Sequence, residues 1–138
     1  MKPVVIDASA LLAWLLGDNP PTAPLFDAVL QRATTAPLLA PTLMRTEVAN
    51  ALAVATRRGR LTPAQARQAA RYADSLPIEL EPQAETIEDL FTEAASQGLT
   101  AYDALYLRVA IRRTASMLIA DDALAAAART AGVELIAA

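Results

Sequence analysis

The sequence predicts an α/β domain built on a mostly parallel sheet. Three observations carry that expectation. Five short apolar runs, each three to five residues long, alternate with stretches of helical periodicity. Strands that alternate with helices in this way form parallel sheets covered on both faces. All four glycines fall where a helix should stop, and 138 residues suit one domain with a sizeable core, here taken as residues 1–138.

Taken in order, Val4–Ile6 is the first strand. Asp7 follows it, and Ser9–Leu16 is the first helix, ending at Gly17. A second helix covers Ala23–Thr34, with Leu25, Phe26, Val29, Leu30 and Ala33 at helical spacing. Pro37–Ala40 is the second strand. Pro41-Thr42 opens a long helix to Arg58, closed by Gly59. Thr62-Pro63-Ala64-Gln65 reads as a capping box with proline at the first helical position, starting a helix to Asp74. Pro77–Leu80 is the third strand and Gln83–Gln97 the next helix. Thr100 caps a helix over Ala101–Arg113. Ser116–Ala120 is the fourth strand, Asp121–Thr130 the seventh helix, and Val133–Ile136 the fifth strand.

Composition narrows the chemistry. The chain is 54% hydrophobic and 20% charged, which excludes disorder. Its apolar runs reach seven residues, too few for a membrane span, and no basic leader with a cleavage site opens the chain, so a cytoplasmic protein is expected. There is no Cys and no His. Disulfides, thiolate sites, His-based triads and nearly all zinc sites are excluded, and any metal must be held by oxygen, which favours Mg²⁺ or Mn²⁺. With every glycine assigned to a helix end, phosphate-cradling glycine loops are absent. Net charge is −3, yet no acid lies between Glu47 and Asp74, whereas Arg57, Arg58, Arg60, Arg67 and Arg71 all do. That segment is either a solvated helical hairpin or a candidate contact for a nucleic-acid backbone.

Four carboxylates break the pattern. Asp7 and Asp121 each stand where a strand hands over to a helix. In open α/β sheets ligands bind at that edge, although an Asp there also makes a good N-cap. Glu47 lies in the apolar stripe of its helix, four after Leu43, three after Met44 and four before Ala51. A carboxylate facing a core is costly unless paired or metal-bound, and Glu47 is too far inside the helix to cap it. An ion pair with Arg45 or another arginine is the structural alternative. Asn50, one turn on, borders the same face and can orient Glu47 or a water. Asp103 projects opposite Arg108 and Arg112, and with Thr100 it also has capping-box spacing. Asp122 leaves open which of two adjacent acids points inward. Gathered at one sheet edge, Asp7, Glu47, Asp103 and Asp121 would repel strongly, and a divalent cation relieves that repulsion.

The motifs VVIDASALL, TEVANAL, LTAYDALYLRVA and LIADDAL, taken together, resemble the PIN-domain ribonucleases. In length and order the whole chain is similar to the VapC toxins of toxin–antitoxin pairs. The resemblance implies a five-stranded parallel sheet with acids at one edge. It also implies metal-dependent cleavage of RNA to a 5′-phosphate and a 3′-hydroxyl, a homodimer, and inhibition by a VapB-like antitoxin. Its acids fall on Asp7, Glu47, Asp103 and Asp121, its supporting polar residues on Ser9, Asn50 and Thr100. Ile119 stands where the family often has a hydroxyl residue. A phospho-receiver domain would need a late lysine, and the only lysine is Lys2. A PIN-fold protein cutting DNA, or one that binds without catalysis, remains as the alternative.

Overall fold

The computed structural model describes residues 2–18 and 21–136. In chain order the elements are β1 (Val4–Ile6), α1 (Ala8–Leu16), α2 (Thr22–Gln31), β2 (Leu38–Pro41), α3 (Leu43–Arg57), α4 (Pro63–Ser75), β3 (Ile78–Glu81), α5 (Ile87–Gln97), α6 (Ala101–Arg113), β4 (Ser116–Leu118) and α7 (Asp122–Thr130). The strand order is β3-β2-β1-β4 and every pairing is parallel. The chain therefore winds outward from β1 through β2 to β3, then crosses back to lay β4 on the other side of β1. The direction reverses between β1 and β4, which makes the carboxyl ends of those two strands the crevice of the sheet.

β1, β2 and β4 are buried along their whole length, as expected of central strands in a sheet covered on both faces. Phe26, Leu11, Tyr106, Leu107 and Leu124 close over them from α2, α1, α6 and α7. Each such fully buried large apolar side chain contributes about 1.5–3 kcal/mol. The edge strand β3 is half exposed, and its charged Glu79 and Glu81 protect that edge. Helix α1, apolar from Ala10 to Leu16, is covered in part from within the chain. Trp14 stacks on Phe26 with ring centroids 4.5 Å apart, lies 5.3 Å from Tyr72 of α4, and donates to Asp27 at 3.0 Å.

Among the described residues four strands form, not the expected five. The segment expected as the last strand makes one parallel bridge, between Leu135 and Met117. The cause is the shortness of β4. Peptide groups along a strand alternate sides. Ser116 N–H donates to Pro3 and Leu118 C=O accepts from Asp7, both toward β1. Met117 alone faces outward, donating to Glu134 and accepting from Ile136 at 2.9 Å each. Helix α5 also starts later than expected, at Ile87 rather than Gln83. Thr86 and Asp89 form a complete capping box, and Glu85 just before it is drawn inward to α6.

That inward turn ties α5 to α6. The Glu85 side chain is only 3% exposed, accepts from Arg112 at 2.6 Å and lies 4.0 Å from Arg108. Burial would raise its pKa, but the Arg112 and backbone hydrogen bonds outweigh burial and hold it below the usual carboxylate range. Arg108 and Arg112, placed on the outer face of α6 by the sequence, thus serve as its partners. Arg112→Ala, which strands a buried charge, is expected to cost about 1–3 kcal/mol in urea unfolding. A loss below about 0.5 kcal/mol would show that this ion pair does not hold the segment.

Candidate active site

The four acids arrive from separate elements at the carboxyl edge of the sheet. Asp7 follows β1 and is the N-cap of α1, its side chain accepting from Ser9 N–H at 3.2 Å. It is 3% exposed. The Ser9 hydroxyl also donates to Asp7, while its own oxygen accepts from Ala120 N–H at 3.2 Å. Ser9 therefore links the end of β1 to the loop after β4. Asp121, in that loop, caps α7. Its Oδ1 accepts from Ala123 at 2.8 Å and Leu124 at 3.1 Å. Asp122, in the first turn, is exposed, so Asp121 is the inward acid of the pair.

Glu47 is half-buried on α3 and makes no ion pair among the described residues; Arg45 is exposed and leaves it alone. Its partner is the Tyr106 hydroxyl, which donates to Oε1 at 2.7 Å. Asn50 stands exposed one turn along α3. Thr100 caps α6 by accepting from Asp103 N–H at 3.1 Å. Thr62–Gln65 and Thr86–Asp89 complete their capping boxes; at α6 the Asp103 carboxylate meets the Thr100 side chain rather than completing the box.

Electrostatics show that these groups share one region. Asp7 is pushed up to about 6, chiefly by burial; the Ser9 hydroxyl pulls it down, and the charges of Asp103 and Glu47 push it further up. Glu47 is raised by burial and by Asp103, against the Tyr106 hydrogen bond. Asp103 is raised by burial and by Asp121, against Thr100. Each acid is thus linked to another by mutual repulsion. Among the described residues no three acidic side chains converge tightly enough to enclose a metal ion as they stand.

The basic hairpin lies along α3 and α4. Arg57 is at the end of α3, ten residues beyond Glu47 and so roughly 15 Å along the axis. Arg58, Arg67 and Arg71 are exposed, while Arg60 is already paired with Asp18. Sequence reasoning missed Tyr106. Its signal was present: Tyr106 stands three after Asp103, so one face of α6 carries an acid and a phenol together.

A fold of this order with acids at its switch point has a counterpart in sequence, for residues 3–134 match the PIN domain family. The chain belongs to the PIN domain family. PIN domains are in general nucleases. Among the solved structures that share this PIN fold are the following two. One is PAE2754 from Pyrobaculum aerophilum, with a TM-score of 0.74, 25% identity, and coverage of 98% of this chain and 84% of that one. The other is VapBC2 from Rickettsia felis bound to a DNA fragment from their promoter, with a TM-score of 0.67, 13% identity, and coverage of 98% and 97%. No curated protein matches in sequence.

The raised Asp7 fixes the sign of a pH effect in this PIN domain. Its folded pKa, about 6, exceeds the ordinary 3.8, so folding favours the protonated form. The resulting stability is complete below about pH 3.8 and lost as pH rises through about 6. In EDTA, Asp7→Asn is therefore expected to be more stable than the wild type at pH 8 by on the order of 1–3 kcal/mol, with the gain vanishing near pH 4. Urea unfolding at both pH values checks this; an equal difference at pH 4 and pH 8 would refute it.

Proposed function

We propose that this protein is a divalent-metal-dependent endoribonuclease of the VapC toxin type. The observation that carries the reading is the distribution of charge pairs. Arginines neutralise Glu81, Glu85 and Asp18, yet none of Asp7, Glu47, Asp103 and Asp121 has a cationic partner among the described residues. Acids left to repel one another in a partly buried crevice are what a hard cation needs. The donor set is all oxygen, which fits Mg²⁺ or Mn²⁺ and no softer ion. Mg²⁺ keeps several waters and takes only one or two carboxylates directly, so looser spacing than a closed three-carboxylate cage suits it. Asp7, Glu47 and Asp103 would hold the ion, with Asp121 sharing through the oxygen its cap leaves free.

Bound there, a divalent ion supplies a more acidic water and neutralises charge on the attacked phosphate. The protein's own groups do the rest. Ser9 fixes the Asp7 carboxylate by two hydrogen bonds. Asp103 sits a turn from Tyr106 on α6 and faces Asp7 in charge. The exposed Arg57, Arg58, Arg67 and Arg71 offer sequence-independent contacts to the RNA backbone, whereas Arg60 is committed to Asp18. With no histidine in the chain, 2′-hydroxyl attack driven by a histidine base is not available, which favours a water nucleophile and a 5′-phosphate product.

Asp7→Asn and Asp103→Asn are each expected to lower Mg²⁺-dependent RNA cleavage at least ~100-fold while keeping the native circular dichroism. Cleavage at the wild-type rate by either would refute the site. Arg58→Glu with Arg67→Glu is expected to weaken RNA binding and reduce the salt slope by about 1 per arginine.

The same reading includes a VapB-like antitoxin and a second copy of the chain. The fold likeness to a VapBC complex supports the first, as does a groove of about 420 Å³ whose apolar wall is Trp14, Leu15, Leu16, Leu61, Ala69 and Tyr72, with Gln65 and Gln68 beside it. For the second, Ile87 and Phe91 lie one turn apart on α5 and are 89% and 70% exposed. Phe91→Glu is expected to turn a dimer into a monomer by light scattering. A monomeric wild type at ~100 μM would refute the dimer.

A further inference from the structure

We infer that Tyr106 is a positioning residue that holds Glu47 in the orientation needed to bind the metal. The inference rests on the metal-site reading above and deepens it. Tyr106 is fully buried, and a buried phenol needs a hydrogen-bond partner. The partner is Glu47 Oε1 at 2.7 Å, across 59 residues of sequence and between α6 and α3. A tyrosine wanted only for packing would be replaced by phenylalanine at no loss. Here its one polar atom is spent on an acid of the crevice.

The placement is also specific. Tyr106 follows Asp103 by one turn, so α6 delivers an acid and a neutral donor to the same side. The phenol feels the charge of Asp7 as well as that of Glu47. It therefore stands beside two of the acids, where a further carboxylate would add repulsion and a lysine or arginine would neutralise Glu47 and compete with the cation. A neutral O–H does neither. It restrains Oε1 and leaves Oε2 for the ion. Glu47 has three side-chain torsions and no ion pair, so without this bond its carboxylate is free to swing toward solvent. Hydrogen bonds to ligating carboxylates are worth about 10–100-fold in metal affinity.

The test is Mn²⁺ titration by calorimetry, with the unfolding temperature in EDTA as a control for folding. Tyr106→Phe keeps the ring and removes the donor. It is expected to weaken Mn²⁺ binding about 10–100-fold, with activity restored at high Mn²⁺. In a Glu47→Gln background the same change is expected to cause no further loss, because the bond it breaks no longer serves a ligand. Tyr106→Met, which fills the space without a donor, gives the same answer should the phenylalanine variant fold poorly. Unchanged Mn²⁺ affinity in Tyr106→Phe, or an equal loss with and without Glu47, overturns the inference while leaving the metal site standing. A wild-type chain that binds no Mn²⁺ removes the metal site and this inference together.

Discussion

Repulsion among carboxylates at one edge of a parallel sheet is the constraint on which the rest of the structure depends. Parallel strands all end on the same side. With order β3-β2-β1-β4, the chain leaves β1 and β4 as neighbours at the point where the winding reverses. An acid placed just after each strand must arrive at the same crevice, whatever lies between them in sequence. Asp7 and Asp121 are brought together by topology alone, across more than a hundred residues. Glu47 and Asp103 then need only to lie on helices that flank that edge.

Such a concentration of charge opposes folding, and the surrounding groups offset it in a consistent way. Among the described residues the hydrogen bonds to the four acids come from neutral donors: the Ser9 amide and hydroxyl, the Tyr106 hydroxyl, the Thr100 side chain, and two amides of α7. Cations are placed elsewhere, on Glu79, Glu81, Glu85, Asp18 and Glu134. Neutral donors orient a carboxylate without cancelling its charge. The edge strand and the segment before α5, by contrast, use arginines to hold acids that have only a structural task.

Much of this was legible in the sequence because it depends on local rules. Gly17 and Gly98 close their helices in the left-handed conformation, and the Thr62–Gln65 box opens α4 as its spacing requires. Glu47 stood out because an apolar stripe should hold no carboxylate. What was illegible depends on partners distant in sequence. Nothing local shows that Glu85 turns inward to Arg112, and so the start of α5 was misplaced. The fifth strand was lost to a counting effect: a three-residue β4 presents one peptide unit to its outer neighbour. Tyr106 went unremarked because its partner lies 59 residues away.

Capping and chemistry, set against each other at Asp7 and Asp121 when only the sequence is considered, turn out to be one device. A cap needs an acid at the first turn of a helix, held by backbone amides in a defined rotamer. A metal site needs an acid whose direction is fixed before the ion arrives. At Asp121 a single oxygen, Oδ1, takes both amides, so the cap itself aims the other oxygen away from α7. Asp7 does the same through Ser9, whose hydroxyl carries the restraint across to Ala120 beside β4. Glu47, in mid-helix, has no free amides to hold it. It borrows the Tyr106 hydroxyl from α6 instead, so the one acid that cannot be a cap is the one that needs a tyrosine.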